Sequence, residues 1–278
     1  ALCLAAGALA PTGAQAAVQR QSASAGSVKA TFTFTETHGR YSLPEYGEEK
    51  LAIERAGRPA YEAPVSSSLC SGACWPGGSL LGRGSSSVQV LALEAPSEPD
   101  VLLNLFTGGA HCCSVTQAFS YDGASATYVK AEHDFGNVPA RLERPGPGSG
   151  SGSAERLVSA DNRFAYAFTD FADSGLPVQV WTLSAGRFVD VTRSYPALIA
   201  RDARRQWHGF LADRNNGVGL IAAWAADECL LGHRAKVERM LARQLRAGRL
   251  QSAFGAYRGR RFIHALMADL KRWGYLHR

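Results

Sequence analysis

The chain has 278 residues, 46% of them hydrophobic and 19% charged, with 30 Lys and Arg against 24 Asp and Glu for a formal net charge of +6. That apolar content can build a sizeable core and excludes a wholly disordered or collagen-like chain, and the length fits one or two globular domains. No run after residue 17 reaches the roughly 18 uncharged apolar residues of a membrane span, so the mature chain is expected to carry no transmembrane segment.

Ala1 to Ala17, ALCLAAGALAPTGAQAA, is an apolar run followed by a small-x-small triplet at Ala14 to Ala16. It reads as the tail of a secretory signal peptide, with residues 1–16 as the remnant and cleavage after Ala16. Cys3 lies inside the apolar run, without the small-residue context that lipoprotein processing needs. Arg outnumbers Lys by 25 to 5, the coding bias of a GC-rich bacterial genome. The expectation is an exported bacterial protein, periplasmic or secreted.

Residues 17–195 read as a β domain. Ala30 to His38 alternates strictly, with Phe32 and Phe34 on one face and threonines on the other. The same period of two recurs at Ser87–Glu94, Val101–Thr107, Ser114–Tyr121, Thr127–Asp134, Phe164–Phe171, Val178–Leu183 and Phe188–Thr192. Three segments, LAIERAGRPAYEAP, AFSYDGASATYVKA and VWTLSAGRFVDVTR, each set a glycine (Gly57, Gly123, Gly186) between two strand-like runs. With DFGN at Asp134 to Asn137, the second and third units resemble degenerate blades of the FG-GAP or VCBS type of β-propeller repeat. The resemblance implies small antiparallel sheets. It does not carry calcium with it, because SADNR at Ser159 to Arg163 lacks the DG ending of such loops. Three units fall short of a closed propeller, so the β domain is expected to be a partial propeller or a sandwich. Arg144 to Ala154, RPGPGSGSGSA, reads as a flexible surface loop.

Five cysteines remain after the leader. Cys112 and Cys113 are neighbours at a strand start, where a trans peptide separates the Cα atoms by about 3.8 Å and points the side chains apart. Cys70 and Cys74 sit in a Ser/Gly/Pro-rich loop. The expectation is therefore two bridges tying that loop to the vicinal pair, with a local Cys70 to Cys74 bridge as the rival and Cys229, in an apolar helix, as the free thiol. His111 beside Cys112 and Cys113 also offers zinc or copper a donor set if the thiols are reduced.

Residues 196–278 read as a basic α-helical domain, with 16 Lys and Arg against 6 acids. Ser194 is the expected N-cap of a first helix, Val218–Leu231 an apolar second, and Val237 to Leu245 mark a third. A short helix near Leu250–Tyr257 and a last one through Trp273 follow. Arg239, Arg243 and Arg246 recur on the third helix as an anion-docking face. No aromatics interleave with them as base-stacking surfaces require, which argues against nucleic acid.

GxSxG, HExxH, P-loop and GxGxxG motifs are absent from the sequence. Asp170 and Asp173, in a loop after an aromatic run, and Asp161 are candidate ligand-binding residues, and with His111, His133 and Asp134 they could meet on one rim. The fold class is α+β, an antiparallel β domain followed by a small all-α domain. The function read from the sequence is binding or assembly at the cell envelope without catalysis and without a cofactor. The expected partner is an anionic envelope polymer, lipid head groups or an acidic protein. The alternatives are an envelope hydrolase with a His/carboxylate cleft between the two parts, which would show a deep pocket, and a zinc or copper protein using His111, Cys112 and Cys113.

Overall fold

A computed structural model describes residues 16–38, 43–78, 85–95, 98–110, 112–144, 155–213, 217–252 and 257–276. The leader read at residues 1–16 thus lies outside them except for Ala16, as do His111 and nearly all of the Gly/Ser-rich stretch, residues 145–154. The chain is α+β, with antiparallel sheets first and helices last. The first sheet is a meander of β1 (Ala16–Ala25), β2 (Val28–Thr37), β3 (Glu45–Arg55) and β4 (Arg58–Pro64). The second sheet contains β5 (Trp75–Pro76), β6 (Val88–Ala95), β7 (Glu98–Phe106), β8 (Ser114–Asp122) and β9 (Thr127–Gly136). The third runs β10 (Arg141–Glu143), β11 (Arg156–Ala160), β12 (Val178–Ser184), β13 (Arg187–Asp190).

Burial explains the stacking. In β2 the alternation places Val28, Ala30, Phe32 and Phe34 in a core with Leu51 and Ile53 of β3, against Val101, Leu103, Leu105, Val115 and Phe119 of the second sheet. The intervening residues of the second sheet face the other way, where Leu102, Ala118 and Phe135 pack with Leu157 and Leu183 of the third. The middle sheet is thus covered on both faces, and β7 is buried from Asp100 through Leu105. Polar pairs inside it are satisfied: Thr116 Oγ1 donates to Asn104 Oδ1 at 2.9 Å and Ser120 Oγ to Asp100 Oδ1 at 2.7 Å. Arg55 of β3 forks onto Glu98 of β7 at 2.6 and 3.1 Å, and Glu94 of β6 accepts from the Ala185 and Gly186 amides, so charged contacts join successive sheets.

Among the described residues four helices follow: α1 (Pro196–Ala212), α2 (Val218–Leu230), α3 (Arg234–Arg246) and α4 (Gly259–Arg272). Tyr195, not Ser194, occupies the N-cap of α1, because Thr192–Ser194 forms a 3-10 turn before Pro196 starts the helix. Among the described residues of 249–258 there is no helix until Arg258 caps α4. The helical core also takes Phe164 and Phe168 from the segment before residue 196. That segment, read as a strand from its alternation, instead begins as a 3-10 turn at Asn162–Phe164. Its anchors are four residues apart, and Tyr166 between them is exposed. No helix among the described residues is long and apolar enough to cross a membrane.

Candidate functional site

A cleft of about 700 Å³ opens between the third sheet and α1. Three-and-four spacing buries Ile199, Asp202, Ala203, Gln206 and Phe210 of α1, and leaves Arg201 and Arg205, one turn apart, exposed beside them. Both arginines line the cleft, and Arg141 of β10 joins them. Val138, Leu176, Leu198 and Leu220 supply apolar lining, and Ser159, Ser174 and Gln206 supply polar groups. No histidine is among the lining residues.

Asp202 organises this wall. Its Oδ2 accepts from the Val178 amide at 3.2 Å and Gln206 Nε2 at 3.4 Å, and its Oδ1 pairs with Arg205. Gln206 Nε2 also donates to the Leu176 carbonyl at 3.1 Å. Asp227 of α2 lies behind it, wholly buried, and neither of its carboxyl oxygens meets a donor from the protein. Burial pushes its pKa well above the carboxylate range, the nearby Asp202 carboxylate pushes the same way, and Arg205 opposes them. Asp227 therefore holds its proton to higher pH than an ordinary carboxyl, beside the Asp202 carboxylate.

A second network closes the C-terminal end. Buried Asp161 accepts from Arg163 Nε at 2.9 Å, from its NH2 group at 2.5 Å and from Tyr275 Oη at 2.8 Å. Phe164 stacks near Trp273, with ring centroids 4.8 Å apart. Burial, then the Asp161 charge, raises the Tyr275 phenol well above its ordinary value, so it remains a donor.

The other sequence-derived candidates fall in separate places. Asp170 Oδ1 caps the Asp173 amide at 3.0 Å, and Ser174 Oγ donates to the Asp170 carbonyl at 2.6 Å. The Asp173 carboxyl is raised by burial and then by the neighbouring Asp170 and Asp213 charges. His133 is enclosed by rings, with its centroid 4.1 Å from Trp181, and burial lowers its pKa. Arg239, Arg243 and Arg246 are all exposed on α3. The Asp161 and Asp170 carboxyls thus have partners of their own, and neither these two nor Asp173 line the large cleft.

The cysteines pair locally, correcting the expected cross-linking of loop and vicinal pair. Cys70 joins Cys74, with Cα atoms 5.5 Å apart, and Cys112 joins Cys113, with Cα atoms 3.1 Å apart. Two neighbours joined by a trans peptide within a strand would point their sulfurs apart. The Cys112–Cys113 peptide is cis, and β8 starts only at Ser114. Cys229 is the free cysteine among the described residues, buried in α2 where desolvation pushes its thiol up to about 12.

Arg141, Arg201, Arg205, Asp202 and Asp227 were not singled out from the sequence. Asp227 has a legible signal, since it and Glu228 are the two acids of a helix whose other residues are apolar or small, and Arg201 and Arg205 form an i, i+4 pair. The approach of β10 to them was not.

Over 151 residues, 48% of this chain, the sequence is 26% identical to a probable thylakoid lumen protein of Synechocystis sp., of which it spans 40%. Over 148 residues, 50% of this chain, it is 30% identical to an uncharacterized protein of Sinorhizobium fredii, of which it spans 22%. The chain spans less than half the length of both relatives. No family model and no solved structure matches it.

Proposed function

We propose that this chain is an extracytoplasmic, non-catalytic binding module of the cell envelope. Its ligand is an anionic polymer seated in the groove between the third sheet and α1. One observation carries this reading: Arg141, Arg201 and Arg205, from two different elements, converge on a cleft of about 700 Å³ without a histidine in its lining. Guanidinium groups fork onto carboxylate or phosphate, and the apolar lining suits the body of a polymer between its charges. The carboxyl of Asp202 is engaged by Arg205, Gln206 and a backbone amide, which favours binding over the hydrolytic alternative.

The lumenal relative and the paired cysteines support an extracytoplasmic setting. The sheet meanders of consecutive strands support the reading of the β region as degenerate propeller-type blades.

The test is titration of the protein with polyglutamate and with polyphosphate at two salt concentrations. Arg141→Gln combined with Arg201→Gln should weaken binding at least about tenfold and flatten its salt dependence, since each lost charge–charge contact contributes through a screened attraction. Equal binding by wild type and variant removes the groove as the site.

A further inference from the structure

We infer that Cys112, Cys113 and Asp134 form a redox-gated site for a thiophilic d10 cation such as Zn2+, closed while the two sulfurs are bonded and open once they are reduced. The ligating atoms of these three residues lie within 4.8 Å of one another, and they are the only such group of three among the described residues. Zinc takes thiolate at about 2.3 Å and carboxylate at about 2.0 to 2.2 Å, so donors arranged around it are separated by roughly 3 to 4 Å. To bind the ion, the freed sulfurs separate from bonding distance to that spacing, with an Asp134 oxygen already within 4.8 Å of both.

The backbone of the pair is tied to its surroundings by contacts besides the sulfur–sulfur bond. Thr107 Oγ1 donates to the Cys112 carbonyl at 2.8 Å and accepts from the Cys113 amide at 2.6 Å, and the Thr107 amide donates to the Cys113 carbonyl at 3.0 Å. Gly109 completes the loop: a Cβ there would lie 2.4 Å from the Cys112 carbonyl oxygen, so only glycine permits the approach. Asp134 belongs to β9, and its Oδ1 accepts from the Gly136 amide at 2.7 Å, which fixes the carboxylate. A cavity of about 330 Å³, lined by Phe106, Cys112, Asn137, Pro139 and Phe171 among others, reaches Cys112.

The chemistry balances with an external dithiol as the electron donor. One dithiol thiolate attacks a sulfur of the pair, the mixed disulfide is resolved by its second thiol, and the donor leaves as its own disulfide. Two electrons and two protons have then passed to Cys112 and Cys113. Zinc binding releases those two protons as the thiols become thiolate ligands, and Asp134 contributes the third ligand and a third negative charge.

The test uses the full chain carrying Cys70→Ser and Cys74→Ser, so that the other dithiol cannot compete. Zinc affinity is measured against a chromophoric chelator, after phosphine reduction and after reoxidation. The reduced chain should bind one equivalent of zinc, and reoxidation should weaken binding at least about a hundredfold. Asp134→Asn, at an exposed position where folding is not at stake, should weaken it at least about tenfold. Zinc should also shield both thiols from alkylation, as read by intact mass and peptide mapping. Absence of zinc from the reduced chain overturns the site, as does an affinity unchanged in Asp134→Asn or alkylation of Cys112 and Cys113 unaffected by zinc.

Discussion

The carboxyl of Asp227, buried in α2, faces that of Asp202 on α1, and the cation beside the pair, Arg205, bonds Asp202 rather than Asp227. Two carboxyls so placed cannot both ionise cheaply, and the pKa of the more deeply buried one is driven up. The wall of the cleft therefore rests on a protonation state as well as on packing.

That state has a sign in the stability curve. The folded pKa of Asp227 is raised above its ordinary 3.8, so the folded chain holds a proton that the unfolded chain has released. The contribution is fully present below about pH 4 and falls as pH rises towards the folded pKa, by up to about 1.4 kcal/mol per pH unit for a single group. Asp227→Asn keeps the shape and supplies a permanent donor to Asp202. Urea unfolding from pH 4 to 9 should show wild type losing stability relative to this variant as pH rises. Parallel curves would mean that Asp227 does not titrate between the two states.

Glu49 tests the same rule at a second place. Burial raises its carboxyl from an ordinary 4.5 to about 7, against the pull of the Cys74 amide that it accepts. One of its oxygens, Oε1, has no hydrogen-bond partner. The folded state again binds the extra proton, so this contribution is present below about pH 4.5 and is lost by about pH 7 to 8. Glu49→Gln should gain stability relative to wild type across that window and run parallel to it above pH 8. A difference curve that is flat from pH 4 to 8 would contradict the assignment.

Tyr275 and Asp161 join residues far apart in sequence by one hydrogen bond of 2.8 Å inside the protein. Tyr275→Phe leaves Asp161 with its Arg163 contacts but short of a donor, and this should cost about 1 to 2 kcal/mol in unfolding free energy. Arg163→Lys, which loses the guanidinium fork, should cost a comparable amount, and the two losses should not add when combined. Additive losses in the double-mutant cycle would show that the two donors act on Asp161 independently.

What the sequence made legible follows from where the information resides. Alternation in β2 and in the hairpins around Gly57, Gly123 and Gly186 is local, so the antiparallel strands and most helix positions could be read directly. β1 was hidden because Ala16–Ala25 is mostly small and polar, with an exposed or half-buried pattern and no apolar face to betray it. Phe164–Phe171 has the aromatic period of two of a strand, yet Phe164 and Phe168 anchor the helical core. The cleft was illegible for a different reason: Arg141 reaches Arg201 and Arg205 only through the packing of the third sheet on α1, which no local pattern encodes. The vicinal bridge was illegible because the strand alternation that points neighbouring side chains apart begins only at Ser114.

The arginines of α3 provide a second basic surface that can be separated from the cleft by experiment. Arg239, Arg243 and Arg246 are exposed at three-to-four spacing, and the opposite face of the helix buries Val237, Leu241 and Gln244. Arg234 on the same helix is held by Glu238 at 2.8 Å, so the three are the part of α3 whose charge is directed to solvent. Replacing all three with Gln should leave unfolding free energy within about 0.5 kcal/mol, since such positions contribute little to stability. Retention on vesicles containing anionic lipid should fall, because each basic residue near such a surface contributes about 1 kcal/mol. Polyglutamate binding at the cleft should be unchanged in the same variant. If vesicle binding survives the triple substitution, α3 is simply a solvated face; if polyglutamate binding falls with it, the two basic surfaces act as one, and the cleft is not an independent site.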